Sequence, residues 1–332
     1  MRRLIHRFHL PSTGLRCRRF CAIALVIVAA LNVGCREKET VDVASVFRVR
    51  LISSGSEGQL WIRQGDAVLS RLKAEFGTDV LRVDAESIER RREILRSLGF
   101  EGVDFVLCAG PGFERPLLAE APHHPLTAYL VEPGTVVAPN VAVLEFLPGG
   151  AAYVGGVAAA LVGGSQVGIL TGDGGPWLGA IEAGFVDGFK SRYFSGTVVE
   201  GEGVEGVMEM VDAGVTVALY AATVAKEAVM VAAQEAGLRL ITVGSQSGDW
   251  DPDVVVAAIS IDLPESVSRI SRDVLDGAFQ ARLYAFDLGS GVVDLEVGET
   301  MLDELGPEGR LRLEDARAAV TAGLVELEQM GL

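Results

Sequence analysis

The sequence predicts an α/β protein of two lobes, each a mainly parallel sheet with helices on both faces. Three observations lead there. Short apolar runs alternate with helix-length stretches over most of the chain, the pattern of strands buried from both sides. About 290 residues follow the N-terminal region, more than one core of this kind usually encloses. A strand ends in a Pro-Gly turn at Leu147-Pro148-Gly149, which is where the lobes are expected to part.

Taken in order, strands are expected at 47–52, 80–83, 103–108, 127–131, 141–146, 166–170, 197–199, 215–220, 238–243 and 254–261. Helices are expected between them at 60–76, 85–98, 151–162, 178–192, 205–212, 224–236 and 264–283. The tail differs. Residues 287–297 alternate apolar and polar side chains, as a strand pair would, and 313–329 carry a 3.6-residue apolar period that predicts a closing helix. This assigns 46–147 with about 262–332 to a first lobe and 148–261 to a second. No internal repeat or low-complexity segment stands out.

The first 34 residues hold six arginines and no acidic residue, then an apolar run from Cys21 to Val33 that stops at Gly34-Cys35. A basic region, a short apolar region and a small residue before the cut describe an export signal. A cut before cysteine is the pattern of a bacterial lipoprotein, with Cys35 receiving the lipid. An uncleaved membrane anchor is the other reading. Both put the rest of the chain outside the cytoplasm and tethered to a membrane, with 35–45 as the tether.

The whole chain carries 29 basic and 45 acidic residues, a formal charge of −16. Without the leader the balance is −22, since six of the basic residues are lost. Such a surface repels nucleic acid at long range, so no nucleic-acid partner is expected. Beyond the leader and Cys35 a single cysteine remains, Cys108, inside an apolar run. It forms no internal disulfide or metal cluster and is read as a buried strand thiol.

The stretch from Phe146 to Lys190 is the most distinctive. A small-residue helix (151–161) leads to a short strand, a glycine loop (Gly172 to Gly175) and a new helix opening at Pro176. Glycine lets a backbone approach a ligand, and a helix N-terminus offers free N–H groups to it; a tight turn without ligand is the alternative. Trp177 stands where a dinucleotide fingerprint needs its third glycine, and no Gly-Lys-Ser/Thr follows, which argues against nucleotide hydrolysis.

Trp61, Phe113, Trp177 and Trp250 follow strand ends, where open α/β lobes keep their cleft loops. Each is a candidate ligand face, with ordinary packing as the alternative. Glu132 is a strand-end carboxylate, and Asp173 either bonds a ligand hydroxyl or caps a helix. His123-His124 lies between two prolines without a third ligand nearby, so no metal is expected. Charged neighbours such as Glu89-Arg90-Arg91 read as solvated helix faces. With no Gly-x-Ser-x-Gly elbow and no Cys–His pair, neither catalysis nor a cofactor is expected.

Three ordered motifs carry a resemblance: Tyr153 to Leu161, then Val167-Gly168-Ile169-Leu170 with its glycine loop, then Gly184-Phe185-Val186-Asp187-Gly188-Phe189-Lys190. They resemble the basic membrane protein family, the substrate-binding lipoproteins of ABC importers that include purine nucleoside receptors. The turn Gly110-Pro111-Gly112-Phe113 and the stretches at 232–237, 241–243 and 318–323 agree in order, so the likeness covers about 46 to 326. It implies a type I periplasmic-binding-protein-like fold with a three-strand hinge. A small-molecule ligand would lie in the cleft, and an ABC permease would be the partner.

The family's aromatic, carboxylate and lysine ligands map unevenly. Its opening Asp-x-Ser-Phe-Asn turn falls on 54–58, without phenylalanine or asparagine, where Trp61 supplies a shifted ring. Its acid after the fourth strand falls on Glu132, its late Val-Asp pair on Val243-Gly244 with Asp249 as a substitute, and its lysine near Ile259. The expectation is therefore a receptor for a nucleoside-like or other small polar solute. A sensing or protein-interaction lipoprotein that kept the fold without transport is the alternative.

Overall fold

Strands form where β-branched and aromatic residues run together, and they sort into two sheets. The computed structural model describes residues 46–55, 59–172, 175, 177–222, 227–244 and 251–327. The leader, Cys35, the tether, residues 56–58, Asp173, Asp249 and Trp250 lie outside these residues. The strands are β1 (Arg48–Ser53), β2 (Asp79–Asp84), β3 (Phe105–Ala109), β4 (Ala128–Glu132), β5 (Val141–Phe146), β6 (Gln166–Thr171), β7 (Thr197–Glu202), β8 (Val217–Ala221), β9 (Arg239–Val243), β10 (Val255–Ile261), β11 (Leu283–Phe286) and β12 (Val293–Val297). The helices are α1 (Gln59–Phe76), α2 (Ile88–Phe100), α3 (Glu114–Glu120), α4 (Gly149–Gly163), α5 (Leu178–Arg192), α6 (Gly203–Asp212), α7 (Glu227–Ala236), α8 (Leu263–Leu275) and α9 (Glu299–Thr321).

The first sheet runs β11-β5-β4-β3-β1-β2, parallel throughout. The second runs β12-β10-β9-β8-β6-β7, parallel except that β12 is antiparallel to β10. Strands β3, β4, β8 and β10 are buried at every position, because helices cover both faces and leave no wet side for a polar residue. Cys108 is such a position: a free thiol with no exposed surface, whose ionisation burial suppresses. The fold class expected from the alternation is the one found.

Capping defines several helix starts. Ser87 Oγ accepts from the Arg90 N–H at 3.1 Å to open α2, and Asp262 Oδ1 accepts from the Glu265 N–H at 2.8 Å to open α8. The glycine-rich α4 and α5 pack backbone to backbone. A Cβ at Gly188 would lie 1.9 Å from the Tyr153 carbonyl oxygen, and one at Gly156 would lie 2.0 Å from that of Phe185. The small residues of this stretch are thus largely a helix-crossing device.

The chain passes between the sheets three times: after β5, after β10 and after β11. These crossings are tied together. Leu147 N donates to Phe286 O at 2.9 Å and Asp262 N to Val292 O at 2.8 Å. Gln64 of α1, nearly buried, donates to Ile261 O at 2.9 Å and accepts from Leu263 N at 3.0 Å.

The tail departs from its expected course. The helix expected over 264–283 stops at Leu275, where Gly277 (φ 67) ends it, and Leu283 then begins β11. The alternating 287–297 stretch is no hairpin. A 3-10 turn at Leu288–Ser290 and Gly291 (φ 69) carry the chain to the other sheet, so β11 and β12 belong to different sheets. Residues from β12 onward therefore lie with the second lobe, where α9 packs on α4, and not with the first as expected. Helix α9 also begins earlier than its periodic part, at Glu299, because a kink at Gly306-Pro307 interrupts the pattern. The short α3 was not expected.

Candidate functional site

Parallel strands point their C-terminal ends, and the loops that follow, to one edge of a sheet. In the first lobe those loops follow Ser53, Asp84, Ala109 and Glu132; in the second they follow Thr171, Ala221 and Val243. The crossings bring the two edges together. A cavity of about 170 Å³ lies between them, lined on one side by Glu132, Pro133 and Gly134 and on the other by Pro148, Trp177 and Ala180. The end of β5, including Glu145 and Phe146, Leu147 of the first crossing and Leu283 of β11 also line it.

Glu132 is buried, and its Oε2 accepts a 2.6 Å hydrogen bond from the Trp61 indole N–H. Burial pushes the carboxyl above its usual range, and the indole hydrogen bond opposes that rise. The Trp61 ring, 2% exposed, belongs to the core. It braces the carboxylate through its N–H and turns no face to solvent.

Trp177 is half-buried, with its ring edge-on to Phe146 at 6.0 Å and 83°. On its other side, Leu178, Ile181, Ala221, Ala222 and Val243 form an apolar wall. Of the expected rings among the described residues, it is the one that borders open space.

Phe113 is fully buried in the first lobe, and the Arg91 guanidinium stands over its ring at 5.1 Å. Arg91 is itself a correction, because it is buried, not solvated. Its guanidinium donates to the carbonyls of Ala85, Pro111, Ser54 and Glu86 at 2.8 to 3.0 Å. It pins the loops after β1, β2 and β3, which edge the first lobe's side of the gap. The triplet Glu89-Arg90-Arg91 gave no warning, since only the third position faces inward on α2.

A second arginine that the sequence reading missed is Arg63. It reaches from α1 to the end of β9 in the other lobe, where a Cβ at Gly244 would lie 2.7 Å from Nη2. It makes no ion pair or hydrogen bond among the described residues, and partial desolvation lowers its basicity. His123 ends the 3-10 turn after α3 and His124 follows it as the cap, and no group of three metal-binding side chains occurs among the described residues.

The family profile described as ABC transporter substrate-binding protein PnrA-like, Bmp, matches residues 49–312. The chain belongs to the Bmp family. Its members are substrate-binding proteins of ABC transporters, a role that implies a small-molecule ligand and a permease. The resemblance read from the 153–190 motifs is borne out.

Among solved structures, an ABC transporter solute-binding protein from Conexibacter woesei DSM 14684 is 20% identical with a TM-score of 0.67, over 85% of this chain and 98% of that one. A transcriptional activator of the comK gene from Bacillus halodurans is 20% identical with a TM-score of 0.71, over 82% and 97%. A solute-binding protein from Aeropyrum pernix K1 is 16% identical with a TM-score of 0.63, over 85% and 94%. These likenesses establish the two-lobed fold. A search of curated proteins found no match. No helix among the described residues is long and apolar enough to cross a membrane.

Proposed function

We propose that this Bmp-family chain is a lipid-anchored extracytoplasmic receptor that closes its two lobes on a small solute, nucleoside-like or otherwise polar, and delivers it to an ABC permease. The observation that carries this reading is the cavity lined from both lobes, with a braced carboxylate (Glu132) on one side and an indole (Trp177) on the other. A flat heterocycle needs a π-face and a few oriented polar groups inside a mostly apolar gap. Closure excludes water and strengthens each hydrogen bond that remains. No role as an enzyme is proposed. In the expected ligand set, Trp177 offers the face and Glu132 the acceptor. Trp61 supports Glu132 from behind, and Phe113 packs under Arg91, which holds the loop at Pro111.

Thermal-shift screening of the full chain in mild detergent against nucleosides, bases and sugars tests the reading. A solute at a hundred times its dissociation constant adds about 2.7 kcal/mol of stability. Stabilisation by one class that weakens at least about tenfold in affinity with Trp177→Ala supports it. Stabilisation that ignores Trp177 and Glu132 counts against it. The anchor has its own test. Cys35→Ala is expected to abolish lipid labelling and to release the chain from the membrane fraction, and persistence of both would contradict the lipoprotein reading.

A further inference from the structure

Resting on the receptor reading, we propose that the solute is an anion, its carboxylate or phosphate held by Arg63 at the hinge end of the gap and its flat apolar body against Trp177. Acidic residues outnumber basic ones 45 to 29 in this chain, and most arginines among the described residues find a carboxylate. Examples are Arg50 with Asp79, Arg71 with Glu75, and Arg92 and Arg96 with Glu120. Arg63 does not. It lies one residue from Gln64, which clasps the second crossing, and reaches the end of β9 in the opposite lobe.

Gly244, the residue it meets there, has φ +75 and presents no side chain of its own to the guanidinium. The preceding residue, Val243, belongs to the apolar wall beside Trp177. A cationic fork next to an aromatic and aliphatic surface suits an amphipathic anion, since guanidinium binds carboxylate and phosphate through paired N–H groups. Arg91 adds a second cation behind the loops on the first lobe's side, with carbonyls and no carboxylate as partners. Two acids among the described residues line the cavity, Glu132 and Glu145; of these, Glu132 is pushed by burial toward its neutral form.

The experiment uses matched probes that differ in charge: adenosine with adenosine monophosphate, and 3-phenylpropanol with 3-phenylpropionate. Affinities are measured by calorimetry on the full chain, wild type and Arg63→Gln. The anionic member of at least one pair is expected to bind about tenfold or more tightly than its neutral partner. Arg63→Gln is expected to erase that preference while changing the neutral partner's affinity by no more than about twofold, and Arg63→Lys to restore part of it. An unliganded melting temperature equal to wild type certifies the fold of each variant. Neutral probes favoured, or an anion preference that survives Arg63→Gln, overturns the anion assignment and leaves the receptor reading standing. Binding of none of the four probes or of the nucleosides, bases and sugars overturns both.

Discussion

Glu132 and Arg91 show how single side chains shape the gap. Burial raises the Glu132 carboxyl, so the native state holds its proton more tightly than the unfolded chain does. That contribution to stability is present at acid pH and is lost as pH rises from the ordinary carboxylate range through the raised value. Glu132→Gln keeps an acceptor for the Trp61 indole and removes the titration. Its melting temperature should therefore gain on wild type between about pH 4 and pH 7. A constant offset across that range would contradict the shift. Glu132→Ala strands a buried N–H and should cost about 1 to 3 kcal/mol in urea titration at neutral pH. Arg91→Met leaves four carbonyls without their donor and should cost at least about 3 kcal/mol, with Arg91→Lys recovering less than half. A loss under about 1 kcal/mol would mean the loops hold themselves.

The sequence disclosed the chemistry of these positions unevenly. Strand-end placement singled out Glu132 and Trp177, because the C-terminal edge of a parallel sheet is readable from strand order. It did not reveal that the Trp61 ring turns inward or that Arg91 faces the interior, since one residue's direction on a helix depends on the neighbouring element's packing. Arg63 carries no local signal at all. Its meaning comes from a residue 181 positions later.

At the scale of elements, the glycines of α4 and α5 carry the contact between these helices. Gly156→Ala and Gly188→Ala each gain up to about 1 kcal/mol of helix propensity. They place a methyl about 2 Å from a backbone carbonyl of the facing helix, which forces the pair apart. Overpacking of this kind costs about 1 to 3 kcal/mol or more. Net destabilisation is thus expected in urea titration, whereas a control at the open, surface-facing Asp187→Ala should change stability by no more than about 0.5 kcal/mol. Stabilisation by either glycine variant would refute the close crossing. The strands and long helices were legible to within a few residues because burial on both faces imposes continuous apolar runs. The tail was not, since β11 and β12 are short and their alternation fits a hairpin as well as two edge strands of separate sheets. The kink at Gly306-Pro307 hid the first part of α9 by breaking its period.

For the whole molecule, three crossings hold two sheets edge to edge; hydrogen bonds from Leu147 and Asp262 tie those crossings to one another, and Gln64 ties the second to α1. Such an arrangement suits bending about one line while each lobe keeps its own shape. Hydrogen exchange read by mass spectrometry on the full chain, with and without the solute that stabilises it most, tests this most directly. The account predicts added protection in two places at once, at Glu132–Gly134 in the first lobe and at 177–181 in the second. Protection confined to one lobe, or to a surface away from both segments, would contradict it.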